Sequence, residues 1–378
     1  MSRCIFVGIP MMGACLPQIG IAEQLVKKGY EVIFVNSELI KNRVESIGAL
    51  LVTYSKYKNE KFEKCEKYLY EQAFLAADKI LKEGDILFYD SWFFCGDILA
   101  KKHKVKSIRL SSMFAMNEKV IKEFWDSNLM WGFYKLPVYR SLITRRFART
   151  IPIKNKYNYW KEIVDATPLM DIVFTEESFQ VHRNDFGERY NFVGPIIYER
   201  NDKSNIPYSE MKKIIFVAIG SISNDKKIIE TCISCFKNQD VSVIISMGNS
   251  KLKKFKNLPD NIYLYNSVPQ LEVLSHADFF ISHGGMNSVN EALYYGVPMI
   301  ICPQFADHMV IGEQVEQMRL GIVLAEKDFT SNNINKAICL LEKHRENNKS
   351  MMARVQSICG LEKSIELIEN VIAHNKEA

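Results

Sequence analysis

The sequence predicts an α/β protein of two domains, each built on a parallel sheet. Three observations carry that prediction. The chain has 378 residues, more than a single core of ordinary size holds. It opens with a strand, a helix and a second strand in the order of a βαβ unit. A second series of short apolar strands begins at Lys213, after a polar stretch from Glu199 to Glu210 that contains Asn-Asp and Pro207 and reads as a linker.

Composition narrows the class. Apolar residues make up 47% and charged residues 25%, the balance of a soluble globular chain. A net charge of +5 does not argue for nucleic acid. The nine cysteines are scattered, which fits a reducing cytoplasm better than a disulfide framework. Cys232 and Cys235 form a lone C-x-x-C in a helical pattern without further ligands at zinc spacing, so no metal is expected. The N-terminus lacks the basic start and sustained apolar run of a signal peptide. No stretch approaches the ~20 apolar residues that span a bilayer.

In the first half, Cys4 to Gly8 is a buried strand with Gly13 in the following loop. Ile19, Ala22, Leu25 and Val26 make a helix ending near Gly29, and Glu31 to Val35 is the next strand. A helix is expected over 59–83, with Phe62, Leu69, Ala73 and Ala76 on its apolar face. Ile86 to Ser91 is a strand that carries Asp90 to its carboxyl edge, and Cys95 to Lys102 begins the next helix. Asp90 is open to two readings, a proton acceptor or an N-cap and loop carboxylate. No acidic residue falls between Asp126 and Glu162, whereas Lys135, Arg140, Arg145, Arg146, Arg149, Lys154, Lys156 and Lys161 do, among many aromatic residues. A solvated basic face over an aromatic core and a membrane-surface patch both fit that pattern. Met170 to Phe174 and Tyr190 to Pro195 are the last strands of this half.

In the second half, Lys213 to Ile219, Val241 to Ser246 and Ile262 to Tyr265 are strands, with Gly220-Ser221 in the first loop. Val268-Pro269-Gln270 opens a short helix. Ala277 to Ile281 is a buried strand, and Ser282-His283-Gly284-Gly285-Met286-Asn287-Ser288 leads from it into a helix that stops at Gly296 and Pro298. A glycine turn at a helix N-terminus aims unpaired N–H groups and a positive dipole end at one point, which makes an anion site. His283, Asn287 and Ser288 add donors, and Glu291, one turn in, accepts from sugar hydroxyls. Ser288-x-x-Glu291 also fits a capping box. Val297 to Pro303 is the next strand, Gln304 to His308 its loop, and Val310 to Leu320 the following helix. Ligands bind at the carboxyl ends of parallel strands, which puts Asp307 and His308 beside the phosphates where an attached sugar lies. Helices over 332–343 and 349–374 close the chain.

Val268-Pro269-Gln270, Ser282 to Ser288, Glu291-Ala292-Leu293, Gly296-Val297-Pro298 and Pro303 to Asp307 together resemble the donor-binding signature of the family 1 UDP-glycosyltransferases, most closely those of bacterial macrolides and natural products. The signature runs over about 266–324, and a weaker likeness covers nearly the whole chain. It implies a GT-B fold, in which two Rossmann-like domains face across a cleft. The domains would be an acceptor-binding domain over 1–200, a linker at 201–211, a nucleotide-sugar domain over 212–348 and a helix at 349–378 crossing back. It implies metal-independent, inverting transfer of a sugar from a nucleotide, most often UDP, to a hydrophobic small molecule, without a cofactor. Gly220, Ser221, His283, Gly285, Asn287 and Ser288 would face the phosphates, Glu291 the ribose, Val268 and Gln270 the base, and Asp307 and His308 the sugar. Trp125, Trp131 and Phe133 lie in the part that builds the acceptor pocket.

Three departures from the family pattern matter. The first strand-to-helix loop of the family reads Gly-His-x-x-Pro, and its histidine deprotonates the acceptor; here Ala14 stands in that place. A positioned base typically contributes 10²–10⁴-fold. Asp90 matches the aspartate that orients this histidine and is the remaining candidate for the task. Ser267 takes the place of the aromatic residue that stacks on uracil, and Asp307-His308 that of an Asp-Gln pair. Two other functions stay open on these residues: a non-catalytic auxiliary protein, and a sugar-nucleotide hydrolase or epimerase that needs no acceptor base.

Overall fold

The computed structural model describes residues 3–54, 62–127, 136–147, 151–154, 158–198, 204–219, 226–248 and 257–373. The chain divides into two compact units. The first takes Met1–Asp126, Met130–Tyr198 and Ile358–Ala378, and the second Glu199–Ser357 with Ser127–Leu129.

The first unit runs β1 (Arg3–Val7), α1 (Met12–Lys27), β2 (Glu31–Asn36), α2 (Lys41–Ser46), β3 (Leu50–Thr53), α3 (Phe62–Ile80), β4 (Ile86–Asp90), α4 (Gly96–His103), β5 (Lys106–Ser111), α5 (Glu118–Asp126), α6 (Pro137–Phe147), α7 (Tyr159–Asp165), β6 (Met170–Val173) and β7 (Tyr190–Phe192). Its seven strands are parallel in the order β3-β2-β1-β4-β5-β6-β7. The order reverses between β1 and β4, so the loops after these two strands open a crevice at the carboxyl edge. Register decides the core at this point. Phe6 pairs with Phe34 on one side and Phe88 on the other, and the rings stack at 4.9 and 4.5 Å between centroids. The sequence pattern predicts no strand at β3 or β5. β3 is a half-exposed edge, and β5 carries Lys106, Ser107, Arg109 and Ser111 where an apolar run is expected. Arg109 is 2% exposed because Asp171 of β6 pairs with its Nε and the Ile163 carbonyl accepts from its Nη1 at 2.5 Å. Arg189 reaches the other oxygen of Asp171 at 3.0 Å.

The second unit runs β8 (Ile214–Ala218), α8 (Lys226–Phe236), β9 (Ser242–Ser246), β10 (Ile262–Tyr265), α9 (Gln270–His276), β11 (Phe279–Ser282), α10 (Met286–Tyr295), β12 (Met299–Ile301), α11 (Ala306–Gln317), β13 (Gly321–Val323), α12 (Ser331–Leu341) and α13 (Arg345–Ile358). Its six parallel strands lie in the order β10-β9-β8-β11-β12-β13, reversing between β8 and β11. Phe216 and Phe280, paired across that reversal, stack at 5.0 Å. Cys232 is fully buried on α8, and Cys235 donates to the Ser331 carbonyl at 3.6 Å. Both sheets therefore have the Rossmann-like arrangement that the resemblance implies.

The last helix departs from expectation. A single helix from 349 is replaced by α13 and α14 (Gly360–Ala373), separated by Cys359 at φ +51°. α13 belongs to the second unit and α14 to the first, so the return to the first unit starts at Ile358 rather than at 349. Gly360 permits the junction: a Cβ there would come within 2.7 Å of the Val193 and Pro195 carbonyls. Ile365, Ile368 and Ile372 of α14 then complete the core formed by Ile19, Ala22 and Leu25 of α1.

Candidate functional site

In the second unit the site grows from the loop between β11 and α10. Gly284 turns the chain at φ +89°, and a Cβ on it would lie 2.7 Å from Cγ2 of Ile301 and 3.2 Å from the His308 carbonyl. Only glycine fits. Gly285 is the N-cap of α10, with no side chain to cap it. The capping-box reading therefore fails, because Ser288 sits inside the first turn instead of before it. Phe305 likewise leaves the N-terminus of α11 without a side-chain cap. β11 and β12 are neighbours, so both helix starts and their positive dipole ends fall on the same sheet edge. At the start of α11 the Asp307 and His308 N–H groups are bonded to the Asp307 carboxylate.

Glu291 is held in place by its neighbours. It is 3% exposed, and Gln270 Nε2 donates to its Oε2 at 2.6 Å while Asn287 Nδ2 donates to its Oε1 at 2.8 Å. Gln270 also donates to the Ser288 hydroxyl at 3.1 Å. Four of the expected donor-binding residues thus form one network across α9 and α10. The two amide donors fix the position of the Glu291 carboxylate.

His283 and His308 lie edge to face, with ring centroids 4.6 Å apart. Burial pushes His283 down to about 3 and His308 down to about 4, so both are neutral near pH 7. Nδ1 of each is buried without a partner. Asp307 Oδ2 lies 3.8 Å from His308 Nε2, and burial raises its carboxyl above the usual range. Val268 is half-buried at the start of α9, and Ser267 beside it is exposed. Gly220 and Ser221 lie outside the described residues.

In the first unit Asp90 ends β4 and is 1% exposed. Its Oδ2 accepts from Gln18 Nε2 at 3.0 Å and from Ser112 Oγ at 3.1 Å, and its Oδ1 accepts from the Trp92 backbone N–H at 2.8 Å. Burial raises its carboxyl to about 6, and these three donors hold it from rising further. It is thus a loop-bonding carboxylate rather than an N-cap, since α4 starts from Cys95, and its carboxyl is raised above the usual range. Ala14 lies one turn before Gln18 on α1. Neither Gln18 nor Ser112 was singled out by the sequence, since a glutamine or serine on a buried face has no spacing signature.

Trp125, on α5, is 8% exposed and packs edge-on against Trp160 at 5.7 Å; Trp92, next to Asp90, meets Trp160 at the same distance. Tyr159 stacks on Trp160, and Phe94 packs on Tyr159. Trp131 and Phe133 lie outside the described residues. Arg145, Lys154 and Lys161 are exposed. Among the described residues no group of three His, Cys, Asp or Glu side chains is placed to hold a metal, and no helix is long and apolar enough to cross a membrane.

Comparisons with known proteins agree with this geometry. Residues 231–359 match the erythromycin biosynthesis protein CIII-like C-terminal domain. The chain is 28% identical over 385 residues to an uncharacterized UDP-glucosyltransferase, YojK, of Bacillus subtilis, covering 95% of this chain and 93% of the relative. It is 27% identical over 394 residues to the NDP-glycosyltransferase YjiC of the same organism, covering 96% and 95%. The crystal structure of the glycotransferase of kitacinnamycin superposes with a TM-score of 0.80 at 23% identity, covering 98% of each chain. That last likeness speaks for the fold alone. The described signature residues gather on one sheet edge, and along nearly its whole length the chain is similar to proteins named as glycosyltransferases and has the two Rossmann-like sheets of a GT-B fold.

Proposed function

We propose that the protein moves a sugar, with inversion, from a UDP-linked donor to a hydrophobic small molecule. The observation that carries this reading is the Gln270–Glu291–Asn287–Ser288 network beside the uncapped start of α10. A diphosphate accepts from the α10 N–H groups, and the ribose hydroxyls donate to Glu291. The leaving diphosphate gains negative charge as the glycosidic bond breaks, which is where a fixed helix dipole stabilises the transition state. His283 is neutral and bonds the Ala218 carbonyl, so it lines the site without adding a charge. Asp307 accepts from hydroxyls of the sugar, and His308 packs beside it. The aromatic group of Trp92, Trp125 and Trp160 next to Asp90 supports an apolar or aromatic acceptor. Asp90 takes the acceptor's proton in place of the histidine absent at Ala14.

Calorimetric titration of UDP, dTDP and GDP tests the donor site without knowledge of the acceptor. UDP should bind in the micromolar range. Glu291→Ala should weaken it by about 10–100-fold, the loss of ~1.5–3 kcal/mol for hydrogen bonds to a charged group. Absence of binding by every nucleotide would sink the reading and favour an auxiliary protein. Donor turnover without an acceptor would favour a hydrolase.

A further inference from the structure

We propose that Gln18 and Ser112 are positioning residues that hold Asp90 by Oδ2 and leave Oδ1 as the atom that takes the acceptor's proton. The inference rests on Asp90 acting as the base and names the device that makes a carboxylate serve there.

The argument is one of lone pairs. A carboxylate offers about four acceptor sites, two on each oxygen. On Oδ2 both are taken, by Gln18 Nε2 at 3.0 Å and Ser112 Oγ at 3.1 Å. On Oδ1 the Trp92 N–H at 2.8 Å takes one and leaves one. Gln18 and Ser112 come from different elements, α1 and the end of β5, and are 4% and 7% exposed. They fix the carboxylate plane from two sides, while the backbone of the Trp92 turn fixes its rotation. The groups that face Asp90 keep it uncharged by neighbours. From α1 come Gln18 and the Cys15 thiol, which burial and the Asp90 charge push up to about 12. From the end of β5 comes Ser112, and from its own loop only the Trp92 N–H. No cation is among these partners, so burial dominates and the carboxyl is raised to about 6. Gln18 lies one helical turn beyond Ala14, so α1 still presents a nitrogen donor to Asp90, now from an amide that cannot itself accept the proton.

The step balances simply. The acceptor hydroxyl loses its proton to Oδ1 as its oxygen bonds the anomeric carbon. The anomeric C–O bond to the diphosphate breaks, and its electron pair leaves with the nucleotide.

Infrared difference spectra across a pH titration read the Asp90 carboxyl directly, without an acceptor, and Asp90→Asn assigns its band. The wild type should titrate near 6. Gln18→Met, nearly isosteric but without donors, should raise the midpoint by about one unit, and Ser112→Ala should raise it in the same sense. With UDP-glucose and 4-nitrobenzyl alcohol as probes, the acid limb of kcat/KM should move with the midpoint in Gln18→Met. An unmoved midpoint in both variants overturns the positioning role. An Asp90→Asn variant with full transfer activity overturns the reading of Asp90 as base, whatever the midpoint does.

Discussion

His283 and His308 show how burial, rather than residue type, sets chemistry at the residue scale. An imidazole titrates near 6.5 in an unfolded chain, whereas here the two lie at about 3 and about 4. Above pH 6.5 neither state binds these protons and the pair does not affect stability. Between about 6.5 and about 4 the unfolded chain binds more, so stability falls as pH falls. Asp90 has the opposite sign, because its folded value of about 6 lies above the ordinary 3.8 and the folded state binds the extra proton between those values. Acidification from pH 7 to 5 should therefore weaken the second unit, by up to ~1.4 kcal/mol per pH unit for each histidine, and slightly strengthen the first. The two effects separate optically. All four tryptophans, Trp92, Trp125, Trp131 and Trp160, belong to the first unit. In urea, the circular-dichroism transition should split at pH 5 and its earlier part should have no fluorescence counterpart. Replacing both histidines with glutamine should remove the split.

At the scale of elements, what the sequence could reveal followed the apolar pattern. Strands β1, β2, β4, β8, β9 and β11 are apolar runs and were legible, as was the loop before α10, whose glycines and polar residues have few other uses in that order. β5 was not legible because its polar residues are satisfied by partners far along the chain, Arg109 by Asp171 above all. Gln18 escaped for the same reason, since its partner is 72 positions away. The break at Cys359 escaped because its cause is the approach of Gly360 to the Val193 and Pro195 carbonyls, a tertiary fact. The ion group that hid β5 also makes a prediction. Asp171 is fully buried between Arg109 and Arg189. Asp171→Asn strands a buried guanidinium and should destabilise the first unit by ~3–5 kcal/mol. Chemical denaturation followed by tryptophan fluorescence measures it. Adding Arg109→Met should restore part of the loss, because the unpaired buried charge, not the missing pair, is what destabilises.

At the scale of the whole molecule, α14 ties the chain's end into the first core. Ile365, Ile368 and Ile372 are buried there, at roughly 1.5–3 kcal/mol each against a domain stability of about 5–15 kcal/mol. A chain ending at Ser357 should keep a cooperatively folded second unit and lose most of the first. Limited proteolysis with mapping of the cuts checks this, with cleavage expected in β1–β7 and protection in β8–β13. Protection of both would mean that the first core closes without α14.

The same return of the chain sets an order of events during synthesis. Domains usually fold as they leave the ribosome, the N-terminal one first. Here the first unit to begin is the last to be finished, since its core waits for residues made after Ser357. The second unit is complete while the first is still short of a wall. A nascent chain stalled after Ser357 would carry a finished second unit and a first unit with α1 uncovered, exposed to chaperones and proteases until α14 emerges.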